Sequence, residues 1–178
     1  KHPGSYVLLI VFVCILMINV RYPMVGSDYG SFIPRFLDSY LYYLKNGLAI
    51  QWWSPSFGGG LPSYPMPVQI QFSLPQLLVG MMNPWVAING TIAFFLIVGY
   101  FSVFWLLRQE LRFAHHDAIL GATLFSVTGF YGEHVSVGHL HFLTFPLLPL
   151  IVLILLNERL PLLLAAATAF AVEPPAPY

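Results

Sequence analysis

Long uncharged runs dominate the pattern of hydrophobic and polar positions along this chain. No Lys, Arg, Asp or Glu occurs between residues 2 and 20, and an α-helix needs about 20 apolar residues to cross a bilayer. Comparable or shorter apolar runs recur later in the chain. The pattern predicts transmembrane helices over residues 3–22, 85–107, 117–133 and 142–157, and a partial fifth apolar segment over residues 160–172.

The segment between the first two predicted spans, residues 23–84, has a different pattern. Apolar side chains recur there at steps of three and four residues, which predicts an amphipathic helix over residues 32–45, with Ser31 as its N-cap and Gly47 after its end. The apolar face comprises Ile33, Phe36, Leu37, Tyr40, Leu41 and Leu44, and the polar face comprises Arg35, Asp38, Tyr42 and Lys45. We expect this helix to lie at the bilayer surface, with its charged side chains paired on the helix.

Prolines and glycines follow this helix so densely that they exclude a long regular helix before about residue 68. Aromatic residues flank the glycines, and a disordered linker would be polar and poor in aromatics. The sequence therefore predicts an ordered loop rather than a flexible hinge.

The positions of the arginines predict how the chain is oriented in a membrane. Short cytoplasmic loops carry an excess of Lys and Arg; Arg108, Arg112 and Arg159 follow predicted spans, whereas the link over residues 133–141 has no Lys or Arg. We expect a multi-pass cell-membrane protein with a cytoplasmic N-terminus. The long first loop over residues 23–84 and the link over residues 133–141 are then both extracytoplasmic.

Composition supports the membrane assignment. The chain is 58% hydrophobic and 8% charged, whereas a soluble domain carries roughly a quarter charged residues. We predict an all-α polytopic transmembrane helix bundle that forms a single membrane module over residues 1–178, and we expect it to be the N-terminal part of a longer protein.

The formal net charge is zero, so nothing indicates a nucleic-acid partner. The single cysteine, Cys14, excludes an internal disulfide or a CxxC motif.

Asp28 is the first candidate for chemistry. It follows the first predicted span and precedes the amphipathic helix, so it lies at the membrane face. A carboxylate there can accept a proton from a hydroxyl nucleophile or bind a divalent cation. The alternative is an Asp that caps a turn with its own backbone.

The second candidate group lies in the other external link and consists of Glu133, His134, His139 and His141. Ionisable groups at a membrane face are seldom without a role. A zinc site is weakly indicated, because His139 and His141 would diverge on a helix and no cysteine is near. Since both segments are external, Asp28 and this group can converge on one pocket. The alternative is that these residues only solvate two loop ends.

Several short motifs resemble the YfhO-like branch of the GT-C integral membrane glycosyltransferases. They comprise Gly26-Ser27-Asp28, the Tyr-rich helix, Gly47, Trp53-x-Pro55, Gly59-Gly60-x-Pro62, Gln69 or Gln71, Pro75, Gly138-His139 and Phe145-Pro146-Leu147. The resemblance implies an inverting enzyme that transfers a sugar from a polyprenyl-phosphate donor to a glycan or lipid acceptor on the extracytoplasmic face.

The resemblance also implies roles for individual residues. Asp28 matches the acidic residue of the first external loop, which is the general base or the neighbour of a divalent cation, Mg²⁺ or Mn²⁺. Glu133 or His134 would supply the second polar group, although no Asp-x-Asp or Glu-x-Asp pair is present. The substrate-binding candidates are Arg35, Lys45, Trp53, His139 and His141. Arg35, Lys45 or a residue of the missing C-terminal part could supply the positive charge that stabilises the phosphate leaving group.

Two other functions remain open from the sequence. In a transporter or flippase, the Gly/Pro-rich segment would line a substrate path and the histidines would move protons. A transporter is expected to carry ionisable groups in the middle of its spans, whereas here they lie at the span ends. A non-catalytic membrane assembly partner would keep the scaffold without releasing polyprenyl phosphate.

Overall fold

The computed structural model describes residues 28–64 and 71–156. These residues are 70% helical with few strands, which confirms the helical class. The first predicted span over residues 3–22 and the partial fifth segment over residues 160–172 lie outside the described residues, as do residues 23–27 and 65–70 of the first loop.

Helix α1, Tyr29–Asn46, occupies the position of the predicted amphipathic helix. Its N-cap is Asp28 rather than Ser31, so that detail of the prediction was wrong. The backbone N–H groups of Ser31 and Phe32 donate to the Asp28 carbonyl at 2.9 and 3.0 Å, so the helix already turns at Asp28. At its other end the Gly47 N–H donates to the Tyr43 carbonyl, and Gly47 ends the helix with a φ of +70° that glycine adopts readily.

The predicted apolar face of α1 is only partly buried in the described structure. Tyr29, Phe32, Phe36 and Ser39 are buried, whereas Leu37, Leu41 and Leu44 are exposed in the described structure. Tyr29, Phe32 and Phe36 form an aromatic edge that packs inward against the helix beginning at Pro84, while the leucines form a separate stripe. The helix therefore presents an apolar surface outward as well as inward.

A polar network holds the loop after α1 against that helix. Gln51 donates to Oδ2 of Asp38 at 2.8 Å, and Ser56 donates to Oδ1 of Asp38 at 2.6 Å. Gln71 accepts from the Gln51 N–H at 3.1 Å and donates to the Ala49 carbonyl at 2.8 Å. Among the described residues Asp38 therefore bonds to the loop, and the expected pairing with Arg35 or Lys45 is not formed.

A short hairpin and a short helix complete this part of the chain. Strands β1, Trp53–Ser54, and β2, Leu61–Pro62, pair antiparallel. Helix α2, Leu74–Leu78, follows, and the Gln76 side chain donates to the Phe36 carbonyl at 3.1 Å. The described residues of this loop are thus held to α1 by side-chain bonds to the Asp38 carboxylate and to the Phe36 carbonyl.

Helix α3, Pro84–Trp105, is the longest element and continues as a π-helical turn, Leu106–Glu110. The Asn83 side chain caps it by accepting from the Trp85 N–H at 2.9 Å. The whole stretch Pro84–Glu110 is, in the described part of the chain, the one helix long and apolar enough to cross a membrane. It covers the predicted span over residues 85–107.

The remaining helices are shorter than the predicted third and fourth spans. The stretch predicted as one span over residues 117–133 is divided between α4, His115–Ser126, and α5, Gly129–Val137. Two 3₁₀ turns, Leu140–Phe142 and Phe145–Leu147, then lead into α6, Leu148–Leu156. The polytopic bundle stays a prediction.

The main core joins the first half of α1, the first half of α3 and the segment after α5. Its central members are Tyr29, Phe32, Phe36, Trp85, Ile88, Ile92, Tyr131, Leu140, Leu143 and Leu147. This packing brings the start of α1 and the histidine-bearing link, residues 133–141, to the same end of α3.

Candidate functional site

The start of α1 meets the segment after α5 through a carboxylate and an imidazole. The Nε2 atom of His139 lies 3.1 Å from Oδ2 of Asp28, and the two side chains are 33% and 42% exposed. A carboxylate oxygen only accepts, so a hydrogen bond in this contact requires the proton on Nε2. The Asp28 side chain makes no helix-capping bond, so the turn-capping alternative does not describe it.

Gly138 makes this approach sterically possible. Its φ of +94° ends α5, and a Cβ at this position would lie 2.7 Å from the Tyr29 backbone nitrogen and 2.9 Å from Tyr29 Cδ2. A side chain there would push the two segments apart. The left-handed residue also takes His139 off the helix, so His139 and His141 do not diverge as they would on an α-helix.

Tyr29 fixes the other side of the contact. Its hydroxyl donates to the Val135 carbonyl in the last turn of α5, and its ring packs edge-on against Trp85 at a centroid distance of 4.9 Å. Burial raises the pKa of Tyr29 to about 12, so the hydroxyl stays protonated and remains a donor. Two consecutive residues, Asp28 and Tyr29, therefore both bind the α5 segment.

The three histidines form one cluster beside Asp28. The ring centroids of His134 and His139 are 5.1 Å apart, and those of His139 and His141 are 5.6 Å apart. The Phe142 ring packs against the rings of His134 and His141, at centroid distances of 4.0 and 4.4 Å. All three Nδ1 atoms are buried and have no hydrogen-bond partner among the described residues.

The cluster disfavours positive charge on His141. Burial lowers the pKa of His141 below its ordinary value of 6.5, and His139 and His134 lower it further, while Asp28 acts in the opposite direction. A neutral imidazole suits this apolar surrounding.

The other sequence candidates do not touch the Asp28–His139 pair. Glu133 is exposed on α5, and Trp53 is exposed on the hairpin, where its indole lies over Gly60. Arg35 is half-buried on α1, and Lys45 is exposed in its last turn. Of the eight candidates, the structure gathers Asp28, His134, His139 and His141.

Helical geometry separates Arg35 from Lys45. Residues seven apart on an α-helix point in nearly the same direction and lie about 10 Å apart along the axis. Arg35 therefore shares a face with Asp28, and helical side chains lean toward the N-terminus, which is the Asp28 end. Lys45 is about 25 Å away along the axis at the same rise per residue.

The described residues do not fit a Mg²⁺ or Mn²⁺ site at this place. Such ions bind oxygen ligands, commonly more than one carboxylate or a carboxylate with substrate phosphate. The groups around Asp28 are imidazoles, and no three His, Cys, Asp or Glu side chains within residues 28–64 and 71–156 are arranged to hold a metal ion. The divalent cation stays a prediction.

The arrangement leaves one Asp28 oxygen for chemistry. Oδ2 accepts from His139, while Oδ1 has no donor among the described side chains. His139 has its second nitrogen buried, so it is suited to holding the carboxylate rather than to meeting a substrate. Asp28 Oδ1 is therefore the atom that can accept a proton from a bound hydroxyl.

Sequence reasoning missed two residues of this site. Tyr29 was outside the predicted helix, although its spacing from Phe32 and Phe36 would have placed it on the same aromatic edge. Val135 takes part through its carbonyl, which no side-chain pattern can reveal.

No family model matches the chain, and neither curated proteins nor solved structures give a match.

Proposed function

We propose that this chain forms part of an inverting membrane glycosyltransferase of the GT-C type, in which Asp28 is the general base. The observation that carries the proposal is the contact between Asp28 and His139. It gives the first-loop carboxylate a fixed position and a hydrogen-bond donor beside an otherwise aromatic wall. The donor is a polyprenyl-phosphate sugar, and the acceptor is a glycan or lipid hydroxyl.

The proposed membrane position follows from the ends of α3. Arg108 lies in the π-helical turn that ends the long apolar stretch, and Arg112 follows it, whereas Asp28 and His139 lie near the Trp85 end. Positive residues favour the cytoplasmic side, which puts the Asp28 end on the extracytoplasmic side. The stripe of Leu37, Leu41 and Leu44, exposed in the described structure, is suited to contact lipid.

The proposed reaction is a single displacement at the anomeric carbon. The acceptor hydroxyl oxygen attacks that carbon from the face opposite the phosphate, and its proton passes to Oδ1 of Asp28. The bond from the anomeric carbon to the phosphate oxygen breaks, and polyprenyl phosphate leaves with the electron pair. Configuration inverts because bond formation and bond cleavage occur on opposite faces.

Two groups act on the charged partners of this step, the Asp28 carboxylate and the leaving phosphate. His139 donates to Oδ2 and keeps the carboxylate oriented toward the acceptor. Arg35 lies on the Asp28 face of α1 and can pair with the phosphate, whose developing charge a guanidinium stabilises. Partial burial and the neighbouring histidines lower the pKa of His141, which favours the neutral imidazole, and its ring contributes to the aromatic wall.

The test uses the full-length protein that carries this chain, in membranes, with a labelled polyprenyl-phosphate sugar. Asp28→Asn should lower the release of polyprenyl phosphate and the transfer of sugar by at least about 100-fold, the usual contribution of a general base. Membrane insertion should be unchanged. The matched control is Asp38→Asn, which alters another carboxylate of α1 that binds only the loop, and it should keep activity per folded molecule.

The same assay separates the alternatives. A transporter or flippase would move the lipid-linked sugar across the bilayer without releasing polyprenyl phosphate. An assembly partner would do neither, and Asp28→Asn would then have no effect on either readout. Full turnover by Asp28→Asn would remove Asp28 from the role of base.

A further inference from the structure

Tyr29 makes two contacts with the segment that carries His139. Its hydroxyl donates to the Val135 carbonyl, and its backbone nitrogen and ring lie against Gly138. The side chain is 2% exposed, so water does not compete for these contacts. Asp28 and Tyr29 on one side thus face Gly138 and His139 on the other.

The Val135 carbonyl is available because of how α5 ends. In a continuing helix it would accept from the N–H of residue 139, four positions later. Here the His139 N–H donates to the His134 carbonyl at 2.9 Å instead. The Tyr29 hydroxyl takes the place of that bond, so the end of α5 is completed by α1.

We propose that Tyr29 is a positioning residue that sets the Asp28–His139 contact by tying the start of α1 to the end of α5. This inference rests on the proposed function for its catalytic consequence. Tyr29 itself touches no substrate, and it acts through the carboxylate beside it. Loss of the hydroxyl leaves the ring packed on Trp85 but frees the α1 start to move away from His139.

Tyr43 offers a matched control on the same helix. Its hydroxyl also donates to a backbone carbonyl, that of Gln71, but it lies about 21 Å from Tyr29 along the helix axis. A Tyr→Phe change removes the same chemical group at both positions. Only the change at Tyr29 should alter the contact between His139 and Asp28.

The first measurement does not depend on transferase activity. Diethyl pyrocarbonate acylates unprotonated imidazole nitrogens, and at His139 the Nδ1 atom is buried while Nε2 is held by Asp28. In the full-length protein, the acylation rate of His139 is followed by peptide mass spectrometry. Tyr29→Phe and Asp28→Asn should both raise this rate several-fold, and Tyr43→Phe should leave it at the wild-type value.

The second measurement is the split between kcat and KM in the transfer assay. Tyr29→Phe should lower kcat by roughly 10- to 100-fold with little change in KM, because a small displacement of a catalytic group costs rate rather than binding. In a His139→Ala background the same change should have little further effect, since the two residues act through one contact.

The outcomes separate the two proposals. If Asp28→Asn retains transfer, the proposed function fails, while the acylation rates still decide whether Tyr29 positions the pair. A wild-type acylation rate in Tyr29→Phe would overturn the positioning role, as would an equal rise in Tyr43→Phe. Should Tyr29→Phe not fold, Gly138→Ala displaces the same contact from the other side and must raise the rate if the inference is right, with Gly132→Ala as its control.

Discussion

The imidazole Nε2 of His139 lies 3.1 Å from Oδ2 of Asp28, although the long helix α3 separates the two residues in the chain. Both side chains lie where the first loop and the histidine-bearing link meet at one end of α3. Taken singly, each residue is compatible either with a reactive group or with a polar side chain that only solvates the end of a loop. Their contact, in which Oδ1 of Asp28 has no donor among the described side chains, is what favours chemistry at this place.

Arg35 and Lys45 should differ in their effect on transfer. Arg35 shares a helix face with Asp28, and a charge-assisted bond to phosphate is worth about 1.5–3 kcal/mol. Arg35→Ala should therefore lower kcat/KM for the polyprenyl-phosphate donor by roughly 10- to 100-fold. Lys45→Ala should stay within about twofold of wild type, since exposed charges away from a site contribute little. Equal losses in the two variants would contradict the geometry.

Acidification should loosen the segment that holds the histidine cluster. The pKa of His141 is lowered in the folded protein from its ordinary 6.5, so the unfolded chain binds a proton at higher pH than the folded chain does. Stability is therefore full above about 6.5 and falls as pH drops below it toward the lower folded pKa. Thermal unfolding between pH 8 and pH 5 checks this.

His141→Gln is the matched variant for that titration. It removes the imidazole whose protonation the folded protein disfavours, while His134, His139 and Asp28 remain. The fall in melting temperature on acidification should be smaller in His141→Gln than in wild type. Identical pH profiles would show that His141 does not contribute.

Gly138 and Gly132 should respond oppositely to alanine. At Gly138 the backbone is left-handed and a Cβ would lie 2.7 Å from the Tyr29 nitrogen, so alanine should destabilise by at least about 1–2 kcal/mol. Gly132 lies within α5 with nothing near its Cβ position, so alanine there should stabilise by roughly 0.5–1 kcal/mol. Detergent-induced unfolding measures both, and two changes of the same sign would be inconsistent with the structure.

Gln71 should matter for folding rather than for chemistry. It is 1% exposed, and its side chain accepts from the Gln51 N–H and donates to the Ala49 carbonyl. Gln71→Ala leaves buried backbone groups unpaired, which costs about 1–3 kcal/mol. The exposed Gln109 provides the control, because Gln109→Ala should be close to neutral. Unaltered unfolding in Gln71→Ala would contradict the network.

The sequence could predict the elements that follow from local chemistry. Helical spacing and Gly47 indicate α1, and the uncharged run indicates α3, because each signal lies within one segment. The N-cap was misplaced at Ser31 because the first turn of the helix contains aromatic residues that pack against α3. Their burial is a tertiary effect, and the same effect turns the leucine stripe outward.

The site itself could be predicted only in part. Orientation by positive residues put Asp28 and the histidines on one side, but it gave no distance between them. The left-handed Gly138 brings His139 toward Asp28, and the Tyr29 hydroxyl reaches a backbone carbonyl. Neither feature leaves a pattern in side-chain chemistry. The division of the run over residues 117–133 between α4 and α5 was hidden for a similar reason, since Val127 and Thr128 are compatible with a helix.

Thiol cross-linking tests the central claim most directly. In the full-length protein with its other cysteines replaced by serine, Asp28→Cys and His139→Cys are combined, and a short bifunctional thiol reagent is added to intact membranes from the outside. The pair should link efficiently, whereas Lys45→Cys with His139→Cys should not, because Lys45 lies about 25 Å from Asp28 along α1. No link between positions 28 and 139, or a link formed only from the cytoplasmic side, would contradict the proposed site.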